Sequence, residues 1–182
     1  MKKVAVILGS PRKNGNSALL AQKACEGIAA AGGEYETFLL NSMNIRPCQA
    51  CDACQRQPEQ RCTLRDDMHT VYDAIESADA VLMASPIYMF TMSAQLKLFL
   101  DRCYAIPGAF QGKRMGVLLA YADEDEVSSG AIYAMNSLRD LFNYREAELT
   151  GIVHGSAETP GEIASNARVM DEAYELGKKL VG

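Results

Sequence analysis

The sequence predicts a three-layer α/β fold, a five-stranded parallel sheet between two layers of helices, and three observations carry that reading. Residues 4–8, 80–84 and 115–120 are short unbroken apolar runs, the pattern of strands buried on both faces. The stretches between them repeat apolar residues at helical spacing, and strands that alternate with helices imply right-handed crossovers and a parallel sheet. Two weaker runs, 35–40 and 146–153, mix polar and apolar positions as half-covered edge strands do. Placing them outermost gives the order 2-1-3-4-5, in which ligands bind past the carboxyl ends of the strands, where strands one and three run side by side.

The first strand leads into Gly9-Ser10-Pro11-Arg12-Lys13-Asn14-Gly15-Asn16-Ser17 and then a helix over 17–31 with Leu20, Ala24 and Ile28 on one stripe. A helix beginning here leaves unpaired N–H groups and a positive dipole end that favour an anion. Ser10, Arg12, Asn16 and Ser17 add donors that a phosphate uses, and Gly9 and Gly15 let the backbone turn tightly. The spacing fits neither the dinucleotide fingerprint nor the nucleotide P-loop, so the expected ligand is a phosphate monoester. An ordinary strand-to-helix loop with a good N-cap is the competing reading.

After the second strand, Cys48, Cys51, Cys54 and Cys62 lie in a polar segment that Pro47 and Pro58 mark as loop. Thiols at this spacing can converge on an iron-sulfur cluster or zinc, act as a redox pair, or hold no metal. Cys25 and Cys103 fall on apolar helix stripes and read as core. The third strand runs into Ser85-Pro86-Ile87-Tyr88-Met89-Phe90-Thr91-Met92-Ser93. A helix over 94–102 follows, with Ser93 as its cap and Leu96, Phe99, Leu100 and Cys103 as its stripe. The fourth strand ends in Tyr121-Ala122 and four acidic residues, 123–126, which read as a solvated loop. The last helix carries Ile163, Ala167, Met170, Tyr174, Gly177 and Val181 on one stripe. His69 and His154 lack ligand-like spacing and read as structural, and no catalytic residue stands out.

At 182 residues the chain suits one core and one domain, 1–182, with a cysteine-rich insertion at about 46–65. A net charge of -5 argues against nucleic acid or an anionic membrane surface as partner. The apolar run after Met1-Lys2-Lys3 is too short for a signal peptide, and no stretch is long enough to span a bilayer. The expected location is the cytoplasm, where clustered cysteines are read as metal or redox sites before disulfides.

The Gly-Ser-Pro-Arg-Lys-x-Gly-Asn-Ser loop, together with Ser-Pro-x-Tyr and Ser-Ala-Gln-Leu-Lys-x-Phe-x-Asp-Arg, resembles the flavodoxin-like NAD(P)H-dependent FMN reductases over nearly the whole chain. C-x2-C-x2-C-x7-C followed by Asp66-Asp67-Met68 resembles the iron-sulfur flavoprotein branch of that family. The resemblance implies that Ser10, Arg12, Asn16 and Ser17 hold the FMN phosphate. It puts Pro86, Ile87, Tyr88, Met89 and Phe90, with backbone groups of Tyr121 and Ala122, along the ribityl chain and ring. Cys48, Cys51, Cys54 and Cys62 are then the candidate ligands of a 4Fe-4S cluster. The implied function is NAD(P)H oxidation through FMN toward an unidentified acceptor. The alternative is electron carriage between FMN, a cluster and a ferredoxin-like partner. A homodimer or homotetramer with the flavin near a subunit boundary is also implied.

Overall fold

A computed structural model describes residues 1–57, 59 and 61–182. In chain order the elements are β1 (Lys3–Leu8), α1 (Asn16–Ala30), β2 (Glu34–Leu39), α2 (Ala53–Arg56), α3 (Met68–Ser77), β3 (Ala80–Tyr88), β4 (Thr91–Met92), α4 (Ala94–Arg102), β5 (Arg114–Tyr121), α5 (Ala131–Tyr144), β6 (Glu148–Ser156) and α6 (Ala167–Val181). The sheet order is β2-β1-β3-β5-β6, every pair parallel. Counted over the parallel strands, this is the expected 2-1-3-4-5 order. The extra strand, β4, folds back antiparallel on the end of β3. Its turn, Met89-Phe90, contains none of the Gly, Asn or Asp residues that announce a two-residue hairpin, so the sequence hid it.

Alternation along β1 sorts the two faces of the sheet. Ala5 and Ile7 pack with α3, α4 and α5, while Val4 and Val6 pack with α1 and α6, giving the three layers. Phe99 and Leu96 of α4 and Leu20, Ala24 and Ile28 of α1 are buried as their spacing requires, as are Cys25 and Cys103. Burial pushes the Cys25 thiol up to about 11, which fits an inert core residue.

Two boundaries differ from the pattern. The fifth parallel strand covers Glu148–Ser156 because Glu146, with φ of 53°, belongs to the turn that closes α5. The final helix starts at Ala167, and Ile163 lies in a separate short turn before it. The buried stripe of α6 is Val169, Ala173, Leu176, Gly177 and Leu180, rotated from the expected one. Close approach to α1 sets that rotation. A Cβ on Gly27 would run into the Tyr174 carbonyl, and one on Gly177 into the Ala24 carbonyl, so the two glycines meet where the helices touch. Among the described residues, no helix is long and apolar enough to cross a membrane.

Candidate functional site

The carboxyl ends of β1, β3, β5 and β6 surround a cleft. Its walls contain Ser10, Arg12, Asn16 and Ser17 from the first loop, Pro86, Ile87 and Tyr88 from the second, and Tyr121 and Ala122 from the third. Three segments far apart in sequence therefore meet as expected. A fourth wall, Ala157, Glu158 and Pro160 after β6, was not anticipated. The carboxyl-end rule applied to the last strand would have found it.

The first two loops are locked together without a ligand. The Gly9 N–H donates to the Ala84 carbonyl at 2.8 Å, and the Ser93 hydroxyl donates to the Gly9 carbonyl at 2.7 Å while accepting from Leu96 N–H at the start of α4. Ser85 Oγ accepts in turn from the Ser93 N–H at 3.0 Å. A Cβ on Gly9 would stand 2.8 Å from Ser93 Oγ and 2.9 Å from Leu96 Cβ, so glycine is what lets the loops approach.

Gly15 precedes α1 and no side chain caps the helix, which removes the good N-cap that an ordinary connecting loop would show. Ser17, in the first turn, is 1% exposed, and its hydroxyl is buried with no hydrogen-bond partner. A buried hydroxyl without a partner costs stability unless something else supplies one. Ser10 Oγ shapes the loop by accepting from the Arg12 N–H at 3.0 Å and donating to the Arg12 carbonyl at 3.1 Å. The exposed Arg12 side chain makes no ion pair among the described residues.

Asn16, which lines the cleft, also ties it to the fourth wall. Its Nδ2 donates to the Ala157 and Thr159 carbonyls at 3.1 and 3.0 Å, and its Oδ1 accepts from the N–H groups of Gly161 and Ile163 at 2.9 and 3.4 Å. The side-chain amide is used fully in clamping the fourth wall to the start of α1. Glu162 tightens that wall by accepting from the Glu158 and Thr159 N–H groups, bonds that hold its carboxyl below its ordinary value, those from Thr159 foremost.

Met89 and Phe90, expected beside the ring, form the β3–β4 hairpin tip and do not line the cleft. Both have positive φ, 47° and 67°, and they are 89% and 61% exposed. The chain must reverse there to pair Tyr88 with Thr91, which carries both side chains outward. Tyr121 is buried, with its hydroxyl 2.9 Å from His154 Nδ1. Burial raises its pKa, and Glu126 and Asp125 add to the rise. His69 Nε2 bonds the Leu64 carbonyl. In the acidic loop, the Asp125 carboxylate accepts from Val127 N–H, Ser128 N–H and Ser128 Oγ, so it shapes its own turn.

The cysteine segment leaves the same end of the sheet, after β2. Cys48, Cys51, Cys54 and Cys62 line one cavity with Arg102, Tyr104 and Leu64. All are free thiols. The sulfurs attract donors: Ala50 N–H to Cys48 and Gln55 Nε2 to Cys54, both at 3.5 Å. Hydrogen bonds from the Ala53 backbone and then Thr63 lower the Cys51 pKa. Ala50 and Asp52, on either side of Cys51, are left-handed at φ of 49° and 54°. Among the described residues no three His, Cys, Asp or Glu side chains stand together at metal-binding positions. Four thiols around one cavity are nevertheless a donor set that fits an iron-sulfur cluster or zinc. Pro58 lies outside the described residues.

Fold and topology together define a flavodoxin-like protein with an open cleft at its sheet end. A family model described as NADPH-dependent FMN reductase matches residues 2–157. Over 180 residues the chain is 32% identical to an iron-sulfur flavoprotein of Archaeoglobus fulgidus, covering 98% of this chain and 78% of that one. It is 29% identical to a putative NAD(P)H-dependent FMN-containing oxidoreductase of Bacillus subtilis, with 97% of each covered. The solved NAD(P)H:quinone oxidoreductase of Methanothermobacter marburgensis superposes with a TM-score of 0.75 at 22% identity, covering 100% and 98% of the two chains. The chain belongs to the NADPH-dependent FMN reductase family. It is an oxidoreductase flavoprotein with FMN as cofactor and NAD(P)H as reductant.

Proposed function

We propose that this protein, acting in the cytoplasm as one domain, takes electrons from NADH or NADPH at FMN in the cleft and delivers them to an acceptor outside the chain. A quinone, free flavin, a nitro or metal compound and another protein are the acceptor classes. The observation that carries the reading is the buried, unpartnered Ser17 hydroxyl at an uncapped helix N-terminus. A phosphate there satisfies both the hydroxyl and the free N–H groups of α1. When bound, FMN supplies the hydride and electron chemistry. The chain does the rest: Ser17 and the α1 N–H groups hold the phosphate, Arg12 neutralises its outer charge, and Asn16 keeps the fourth wall in place. Residues 86–88 and 121–122 border the ring. Steady-state NAD(P)H oxidation by the FMN-loaded protein should far exceed that of free FMN. Rates equal to free FMN would leave only a flavin-binding module.

A second reading has its own support. The four cavity thiols, with relatives named iron-sulfur flavoproteins, favour a 4Fe-4S cluster on Cys48, Cys51, Cys54 and Cys62 that exchanges single electrons with FMN and a ferredoxin-like partner. Anaerobically purified protein should then hold about four irons and four sulfides per chain. Protein without iron or sulfide would remove this reading and leave the first intact. The outward Met89-Phe90 tip supports a homodimer or homotetramer, and sedimentation as a monomer at micromolar concentration would contradict it.

A further inference from the structure

Arg102 is 1% exposed, the largest fully buried side chain, although it ends the surface helix α4. Its Nη1 donates to Asp66 Oδ2 at 2.6 Å and to the Arg46 carbonyl at 2.8 Å, and its Nη2 donates to Asp66 Oδ1 at 3.1 Å. Asp66 also accepts from the N–H groups of Arg46 and Met68. Arg46 lies two residues before the first cysteine of the cluster and Asp66 four after the last, so the pair staples both stems of the cysteine loop. Stapling uses the Nη nitrogens alone. The remaining nitrogen, Nε, is buried without a partner, and Arg102 lines the cavity that the four thiols share. The buried cation thus has one N–H to spare in a side chain that lines the thiol cavity.

We propose that Arg102 is the positive wall of the cysteine cavity, its Nε–H donating to a sulfur of the iron-sulfur centre and raising that centre's reduction potential. The inference rests on the iron-sulfur reading above. A reduced cluster carries one more negative charge than an oxidised one, so a buried cation and a hydrogen bond to sulfur both favour the reduced state. Burial alone would lower the pKa of Arg102, and the Asp66 hydrogen bond more than reverses that effect.

The test compares the anaerobically purified holoprotein with Arg102→Lys and with the double variant Arg102→Gln/Asp66→Asn, which leaves no buried charge unpaired. Iron and sulfide are assayed, and cluster and flavin potentials are titrated in one sample by EPR and absorbance. In the double variant with full iron, the reduced-to-oxidised cluster ratio at fixed poise should fall about tenfold. That is about 59 mV for a one-electron couple. Arg102→Lys, which keeps the charge and loses the Nε–H, should shift less, and the flavin potential should move less than the cluster's in both. A fully loaded double variant with an unchanged cluster potential overturns the proposal. So does loss of iron from both variants with the fold intact, since stapling would then be the whole role. Wild-type protein free of iron would overturn the cluster reading and this inference together.

Discussion

In the cleft at the sheet end, the lining groups stand on strand ends and one helix terminus, and backbone-to-hydroxyl bonds among Gly9, Ser85 and Ser93 lock the loops without a ligand. In the cysteine cavity, the thiols stand on a segment with one short helix and, among the described residues, three left-handed ones, Ala50, Asp52 and Arg61, held at its stems by Arg102 and Asp66. The cleft leaves one buried hydroxyl unsatisfied, a small cost in a preformed site. The cavity leaves its four principal groups dispersed, which suits a group whose own bonds would complete the loop. On the proposed reading, the first site is a template for its ligand and the second would be finished by it.

The largest effect should come from breaking the template. Gly9→Ala puts a methyl against Ser93 Oγ and Leu96 Cβ, and overpacking of this kind costs about 1–3 kcal/mol. FMN titration should show affinity reduced by roughly ten- to over a hundredfold, with iron content unchanged. A parallel loss of iron would mean that the two sites are not independent.

Ser17→Ala separates ligand binding from folding. Losing a hydrogen bond to a charged group costs about 1.5–3 kcal/mol, roughly ten- to a hundredfold in FMN affinity. The apoprotein should be as stable as the wild type or more so, because the deleted hydroxyl has no partner there. A destabilised apoprotein with normal FMN affinity would show that Ser17 serves the fold. Arg12→Ala should weaken FMN less, by about tenfold or under, since the side chain is exposed, and the effect should shrink with added salt.

What the sequence made legible follows from locality. Unbroken apolar runs marked the central strands, and the Gly9–Ser17 and Ser85–Ser93 motifs marked two cleft walls because their residues act where they stand in the chain. The fourth wall was missed because Ala157, Glu158 and Pro160 gain their place through Asn16, 141 residues away from Ala157. Asn16 itself was read as a phosphate donor, since nothing local shows that its amide is spent on the far loop. Met89-Phe90 was read as a ring contact, and nothing local announced the hairpin that turns it outward in this chain. The staple of Arg102 on Asp66, 36 residues apart, was invisible for the same reason as the Asn16 clamp.

The smallest effect concerns the cysteine stems. Burial would raise the Asp66 pKa, but bonds from Arg102 and from the Arg46 and Met68 N–H groups outweigh it and hold the carboxyl below its ordinary 3.8. Its contribution is therefore complete above that value and is lost as the pH falls from there through the lower folded value. Hydrogen-exchange protection over residues 44–57 and 61–68 should hold at mild acidity and weaken below about pH 3.8, whereas Asp66→Asn should be less protected throughout and lack that step. Exchange that is indifferent to this window would mean that the loop is held by other contacts.

The central claim is that the cleft is a phosphate-first FMN site, and competition between FMN and riboflavin for the apoprotein tests it most directly. The two ligands share the ring and ribityl chain and differ in the phosphate alone. The account predicts that FMN binds at least a hundredfold more tightly, and that Ser17→Ala narrows the gap by weakening FMN and sparing riboflavin. Equal affinities for the two, or a Ser17→Ala variant that weakens both alike, would contradict it.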